Sequence, residues 1–128
     1  MNHWRMNAAL AVLAAVLSTG CTTTITNLTP RELPRNANNL YPFEVAYDTS
    51  EQAVRDKTIK PYVMVGAQLY PMTPTPMLKG RWEAQVPVPA ATNHVYYRYK
   101  IDYQYNRIPS PGENSRLSET YTLDIVDK

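Results

Sequence analysis

The stretch HVYYRYKIDYQYN, residues 94–106, alternates in side-chain character at every position. Because successive side chains of an extended chain point to opposite faces, the pattern predicts a β-strand with one buried and one solvated face. Four of its six inward positions are tyrosines, and each buried hydroxyl needs a partner or a path to the edge of the core. The inward set is Val95, Tyr97, Tyr99, Ile101, Tyr103 and Tyr105.

Further strands follow from the same reasoning. Residues 40–47, 81–88 and 120–126 alternate, residues 61–65 form an apolar run typical of a strand buried on both faces, and residues 22–28 form a possible first strand. Residues 49–57 predict a helical turn or polar loop, residues 70–77 an irregular connection or sheet edge, and residues 108–118 a polar loop. Six or seven short strands with polar or proline-rich connections favour an all-β, antiparallel β-sandwich, and alternation alone leaves a small barrel open.

The first twenty residues have the pattern of a signal peptide. Arg5 precedes an apolar run at residues 6–17, and twelve helical residues rise about 18 Å, well short of the roughly 30 Å needed to cross a bilayer. Small residues then lead to Cys21, which is the only cysteine of the chain. The segment therefore predicts export.

Residues 17–21, LSTGC, resemble the lipobox of bacterial lipoproteins, in which small residues precede a cysteine that is lipidated and becomes the first residue of the mature chain. Gly20 and Cys21 match that pattern, and Ser18 stands where it prefers Leu. The resemblance implies cleavage before Cys21 and a lipid anchor on its side chain. Thr22, rather than an Asp, implies the outer membrane by the same resemblance. The alternative is an ordinary signal peptide cut near Gly20, with Cys21 left as a free thiol.

This interpretation divides the chain into a leader (residues 1–20), a lipidated tether with a possible first strand (21–38) and one β-sandwich domain (39–128). A fully extended tether spans at most about 60 Å, whereas docking of the first strand would hold the domain close to the membrane. With a single cysteine the domain has no disulfide, so packing alone must stabilise it. The chain has 13 basic and 11 acidic residues, a balance that does not indicate nucleic-acid binding.

The second half of the chain also resembles the immunoglobulin-like early-set modules found beside starch-active enzymes. In that family a Gly and a Trp open one strand, and a Tyr-x-Tyr-Lys strand follows; residues 80–82 (GRW) and 97–100 (YRYK) fit, over a span of about residues 60–104. The resemblance implies an immunoglobulin-like β-sandwich. Sugar binding in those modules uses paired exposed aromatic residues, whereas Trp82 falls in the core-facing phase of its strand. Because of the resemblance, a carbohydrate-binding module is kept as the alternative function.

Catalytic and metal chemistry find little support in the sequence. His94 is the only histidine after the leader, and no spacing links it to a serine nucleophile and an acid. One histidine and one lipidated cysteine cannot form a zinc site. Glu83 and Asp102 both project from solvated strand faces, where cross-strand ion pairs are commoner than a glycosidase-like carboxylate pair. We expect no enzyme activity, no metal and no cofactor.

A binding surface is the remaining hypothesis. The predicted interaction residues are Tyr96, Arg98, Lys100 and Gln104 on the outward stripe of residues 94–106, and Tyr70, Met72 and Met77 in the proline-rich segment. The first set could instead be a solubilising sheet face, and the second could cap the open end of the sandwich. The expected function is that of a non-enzymatic envelope lipoprotein, a structural or scaffolding subunit with an envelope protein as partner. A bound glycan is the alternative, for which paired exposed aromatic residues would be the structural sign.

Overall fold

The structure is a computed structural model that describes residues 22–127. The predicted leader and Cys21 lie outside the described residues. Within them the chain forms ten strands and one short 3-10 helix, Asp56–Thr58, in the segment predicted as a turn or polar loop. The strands are β1 (Thr23–Asn27), β2 (Glu32–Pro34), β3 (Leu40–Thr49), β4 (Lys60–Val65), β5 (Gln68–Pro71), β6 (Thr73–Pro74), β7 (Arg81–Pro87), β8 (His94–Tyr105), β9 (Gly112–Leu117) and β10 (Tyr121–Val126). Over residues 22–127 no helix has the length and apolarity to cross a membrane.

The strands form two sheets packed face to face. The first sheet has the order β1-β3-β7-β6 and the second the order β2-β10-β8-β4-β5, with β9 also paired to β8. All neighbours are antiparallel except β2 and β10, which run parallel. The first sheet matches the A-B-E-D sheet of immunoglobulin domains, and β10, β8, β4 and β5 match strands G, F, C and C′. The predicted immunoglobulin-like β-sandwich is confirmed by this strand order.

The core lies between the inward faces of β3 and β8. The inward residues of β8 from Val95 to Tyr103 are almost completely buried, which confirms the predicted phase, and Tyr105 at the end of the strand is half-buried. Phe43 on β3 packs edge-on against Tyr97, with ring centroids 4.8 Å apart, and this T-shaped geometry is the favoured one for aromatic pairs. Alternation predicted which residues of β3 and β8 point inward, because one face of each strand is buried against the opposite sheet.

Hydrogen bonds around Tyr99 join the two sheets within this core. The Tyr99 hydroxyl lies 2.8 Å from the Glu44 carbonyl oxygen, 2.6 Å from Asn27 Oδ1 and 2.8 Å from Thr29 Oγ1. The side-chain amide of Asn27 also donates to the Tyr97 hydroxyl at 2.8 Å. Asn27 and Thr29 lie where the chain leaves β1 in the first sheet for β2 in the second. The polar residues at this crossing therefore supply the partners that the buried hydroxyls of Tyr97 and Tyr99 require.

Trp82 lies on the inward side of β7, opposite Val45, as its phase predicted. It packs against the core but is only half-buried, because β7 begins next to it, at the end of the sandwich. There it lines an open, largely apolar cavity of about 640 Å³ together with Tyr47 and Ile59. Trp82 thus closes one end of the core instead of filling its centre.

The segment at residues 108–118 was wrongly predicted to be a loop. It contains β9, which pairs with the second half of β8 from Lys100↔Leu117 to Tyr105↔Gly112. Its sequence, GENSRL, has no apolar alternation. The strand forms through backbone hydrogen bonds to the free edge of β8, and it has no continuous buried face that would require alternation. At Gly112 the Tyr105 ring fills the space that a Cβ atom would need, so a side chain would collide with it.

The proline-rich segment at residues 70–77 runs along the edge of the sandwich, one of its two predicted states. It supplies the end of β5, paired with β4 in the second sheet, and then β6, paired with β7 in the first. Met72 lies between these strands and is only 6% exposed, so it belongs to the core. Pro71 and Pro74 sit at edge positions, where a missing N–H breaks no bond between strands.

Candidate interaction surface

The outer face of the second sheet carries most of the exposed aromatic and large apolar side chains of the strands. Tyr96 on β8 is 62% exposed, Leu117 on β9 is 51% exposed and Leu69 on β5 is 44% exposed. They share a face because their register partners are other outward residues: Tyr96 pairs with Thr122, Leu117 with Lys100, and Leu69 with Met64. The result is a continuous surface across four strands.

Arg98 lies at the centre of this surface. Its register partner on β4 is Met64, and Leu69 on β5 lies directly beyond Met64. Within residues 22–127 its guanidinium has no ion pair and no side-chain hydrogen bond. A half-buried arginine with free donors beside apolar side chains is a composition enriched at protein interfaces.

The neighbouring cation, Lys100, is instead engaged within the surface. Its Nζ donates to Asp102 Oδ1 at 2.6 Å and lies over the Tyr62 ring, 5.8 Å from the centroid. Burial alone would raise the pKa of Asp102, but hydrogen bonds from Lys100 and Ser115 and the positive charges of Lys100 and Lys60 hold that pKa below its ordinary value. Asp102 therefore stays ionised and compensates the charge of Lys100, whereas Arg98 has no acidic partner within residues 22–127.

The outer face of the first sheet has a different composition. Its side chains are mostly polar or charged, and within the described residues it carries no aromatic side chain: Thr24 and Thr26 on β1, Leu40, Pro42, Glu44, Ala46 and Asp48 on β3, and Arg81, Glu83, Gln85 and Pro87 on β7. Leu40, at the start of β3, is its exposed large apolar side chain, with 38% exposed. Glu44 and Glu83 are direct register partners, and Arg81 Nη2 lies 3.9 Å from Glu44 Oε2. This face has the character of a solvated sheet surface.

The structure separates the predicted interaction residues into three groups. Tyr96, Arg98, Lys100 and Gln104 do share the outer face, with Gln104 half-buried at its far end. Tyr70 pairs with Val63 on the inward side and packs against the core, and Met72 is buried, so neither belongs to an exposed surface. Met77 is fully exposed but lies in the loop before β7, away from this face.

Sequence reasoning missed four members of the surface, Tyr62, Met64, Leu69 and Leu117. Residues 61–65 were predicted to be buried on both faces, yet Tyr62 and Met64 point outward and are only half-buried. Their alternation with the buried Pro61 and Val63 was the available signal. Leu69 and Leu117 stand in strands too short or too polar for alternation to identify.

Catalytic groupings do not form within the described residues. Glu83 lies on the outer face of the first sheet and Asp102 on that of the second, so they cannot act as a carboxylate pair across one bond. His94 Nδ1 lies 2.7 Å from Asp124 Oδ1 at an exposed position. Across residues 22–127 no three His, Cys, Asp or Glu side chains cluster in the manner of a metal site.

The aromatic residues likewise form no exposed pair in the part of the chain that is described. All the ring contacts there involve Phe43, Tyr97, Tyr99 and Tyr121, whose rings pack in or against the core. Tyr96 is exposed without a ring partner. The paired platform expected of a glycan-binding site is thus missing from residues 22–127.

Comparison with known proteins gives a distant likeness in structure alone. No family model matches the chain, and no curated protein matches it in sequence. Murine CRIg superposes with a TM-score of 0.45 at 13% identity, over 81% of this chain and 99% of that one. AggA, the major subunit of aggregative adherence fimbriae type I from Escherichia coli, superposes with a TM-score of 0.45 at 11% identity, over 84% of this chain and 97% of that one. The fold assignment rests on the strand order.

Proposed function

We propose that this protein is a non-enzymatic, lipid-anchored subunit of the cell envelope that binds a protein partner through the outer face of its second sheet. The observation that carries the proposal is the difference between the two outer faces. One is mostly polar, with Leu40 as its exposed large apolar side chain, and carries no aromatic side chain within the described residues. The other carries Tyr96, Leu69 and Leu117 around the free cation of Arg98. Such exposed apolar area on one face is typical of an interaction site.

The anchor in this proposal is the lipid on Cys21, which the lipobox resemblance of residues 17–21 implies. The same resemblance, through Thr22, supports the outer membrane as the location. A domain held at a membrane meets its partner at a high effective concentration, so a modest surface suffices for stable assembly.

The sheet edges support binding through a face. Pro34 lies in β2, Pro71 in β5 and Pro74 in β6, and each of these strands stands at an edge. A proline cannot donate to a further strand, so these edges resist the addition of one. The fourth edge strand, β1, carries no proline, so three of the four edges favour a partner that contacts side chains of the second sheet.

A photo-crosslinking experiment in intact cells tests this proposal. A photoreactive amino acid is introduced at Tyr96 or Leu117, and as a matched control at Gln85, an exposed position on the polar outer face of the first sheet. We expect a discrete protein adduct from positions 96 and 117, and none from position 85. Arg98→Glu, combined with the probe at position 96, should abolish the adduct because it reverses the central charge.

Equal crosslinking from all three positions would contradict a face-specific partner, and so would the lack of any adduct at positions 96 and 117. An adduct formed with carbohydrate instead of polypeptide would favour the glycan-binding alternative.

A further inference from the structure

The first described residue is bonded directly to the body of the domain. The Thr22 N–H donates to Ser50 Oγ at 2.7 Å, and the Thr22 carbonyl accepts from the Ser50 N–H at 2.8 Å. β1 follows at once, with Thr23 opposite Thr49. Since consecutive Cα atoms are about 3.8 Å apart, covalent geometry alone keeps the Cα atom of Cys21 within about 4 Å of that of Thr22.

The register of the strands shows which loops lie at this end. β7 begins at Arg81 opposite Ala46, so the loop at residues 75–80 lies beside the end of β3. β8 ends at Tyr105, which bridges to Val54, and the Asn106 N–H donates to the Ala53 carbonyl oxygen. Residues 50–59, 75–80 and 106–111 are therefore the three loops at the end where β1 starts. We call this the anchor end.

The anchor end also carries the most exposed large apolar side chains among the described residues. Met77 is 102% exposed and Ile108 is 96% exposed, and Leu78 beside Met77 is 46% exposed. They occupy two different loops that converge on the same end. Isolated exposed apolar residues are ordinary, but three of them in loops at one end of the domain indicate a partner that removes them from water.

The backbone at Met77 is in the left-handed region, with φ of 65°. Residues with a Cβ atom rarely adopt that conformation, yet here a residue with a long apolar side chain adopts it at the tip of the loop. A glycine would relieve the strain but would leave no side chain to insert.

The charges of the three loops suit an anionic surface. They contain Arg55, Lys57, Lys79 and Arg107 but only two acids, Glu51 and Asp56, and Glu51 is paired with Arg116. Cations that flank exposed apolar side chains are the composition by which proteins bind the interface of a bilayer with anionic lipids.

We propose that the anchor end rests on the membrane, with Met77, Leu78 and Ile108 inserted at the boundary between headgroups and acyl chains. This inference rests on the proposed lipidation of Cys21, which would bring the loops to the bilayer. The contact fixes the domain upright: Tyr96 lies nine residues before the end of β8, roughly 30 Å further from the membrane. The outer face of the second sheet is thereby presented to partners at a set height and orientation.

Thiol labelling of the lipidated mature protein, purified and reconstituted in vesicles of phosphatidylethanolamine and phosphatidylglycerol, tests the contact. Met77→Cys and Ile108→Cys are compared with Leu69→Cys, an exposed apolar position away from the anchor end. Each rate of reaction with a membrane-impermeant maleimide is divided by the rate of the same variant unfolded in urea. In water positions 77 and 108 would react faster than position 69, because they are more exposed.

On vesicles we expect the order to invert, with positions 77 and 108 slower than position 69 by roughly tenfold, the ratio that about 1.4 kcal/mol of apolar burial produces. If positions 77 and 108 stay faster than position 69 while the protein is vesicle-bound, the membrane contact is wrong and the lipid anchor stands. The wild-type protein separates the two ideas, since a lipidated Cys21 has no free thiol. Labelling of the wild-type protein would contradict the lipid anchor and, with it, the membrane contact.

Discussion

The hydroxyl of Tyr99 on β8 lies 2.8 Å from the carbonyl oxygen of Glu44 on β3, and the two residues belong to opposite sheets. In antibody domains a disulfide joins the corresponding B and F strands. The single cysteine of this chain excludes such a bond within the domain. Here the hydroxyl of a tyrosine links the two strands by a hydrogen bond.

The first prediction concerns this link. Tyr99→Phe keeps the ring but removes a buried hydroxyl that lies within hydrogen-bond distance of Asn27 Oδ1, Thr29 Oγ1 and the Glu44 carbonyl oxygen, so it should lower the free energy of unfolding by about 1–3 kcal/mol. Tyr96→Phe is the matched control, because Tyr96 is exposed and its hydroxyl contacts water. Urea unfolding measures both variants. Equal stabilities would show that the hydroxyl of Tyr99 is not a structural link.

The second prediction concerns alkaline pH. Burial is the main cause that raises the pKa of Tyr47, Tyr97, Tyr99 and Tyr121. A tyrosine whose pKa is raised by folding contributes to the stability of the folded state while it is protonated. This contribution is fully present below the unfolded pKa of about 10 and is lost as pH rises through the folded pKa. Stability should therefore fall steadily above about pH 10.

Absorbance of tyrosinate near 295 nm tests this dependence. The four tyrosines with a raised pKa should ionise together with the loss of circular dichroism. A single smooth titration of all tyrosines in a domain that stays folded would contradict their burial.

The third prediction separates the two faces of β8. Ile101→Ala leaves a cavity in a fully buried position and should cost about 2–5 kcal/mol. Arg98→Ala, on the outer face, should change the stability by less than about 0.5 kcal/mol, since its guanidinium has no bond to lose within residues 22–127. Urea midpoints at unchanged slope give both values. Similar losses from the two variants would mean that the outer face is buried in the isolated domain.

The fourth prediction concerns the turn before β7. Gly80 has φ of 75°, and an added Cβ would lie 2.9 Å from the Tyr47 carbonyl oxygen. Gly66 has φ of 60° but open space around it, so it is the matched control. Gly66→Ala should cost about 1–2 kcal/mol from backbone strain alone, and Gly80→Ala should cost more, because a steric clash is added. Thermal unfolding that ranks the two variants in the opposite order would contradict this account.

The fifth prediction concerns the anchor. Cys21→Ser removes the only residue that the lipobox pattern allows to be lipidated, so the protein should leave the membrane fraction or remain unprocessed. Fractionation and incorporation of labelled fatty acid measure the change, and Thr22→Ser serves as a control that keeps the cysteine. A Cys21→Ser variant that is processed and stays with the membrane through high-salt washes would show that another feature attaches the protein.

Alternation in residues 94–106 was enough to predict β8, its buried tyrosines and its outward stripe, because the phase of a strand is a local property set by the period of two. The same reasoning predicted β3, β7 and β10, and the number of strands favoured a sandwich. Trp82 was assigned to the correct side of β7, but its partial exposure depends on the end of the sandwich, which no local pattern specifies.

The tertiary structure alone decided the remaining features. β9 exists because the edge of β8 offers backbone donors and acceptors to residues 112–117, and such pairing leaves no mark in a polar sequence. Met72 and Met77 are five residues apart in one proline-rich segment, yet the chain turns the first into the core and leaves the second exposed. Thr22, Met77 and Ile108 meet at one end because strand register, a long-range property of hydrogen bonding, brings distant loops together.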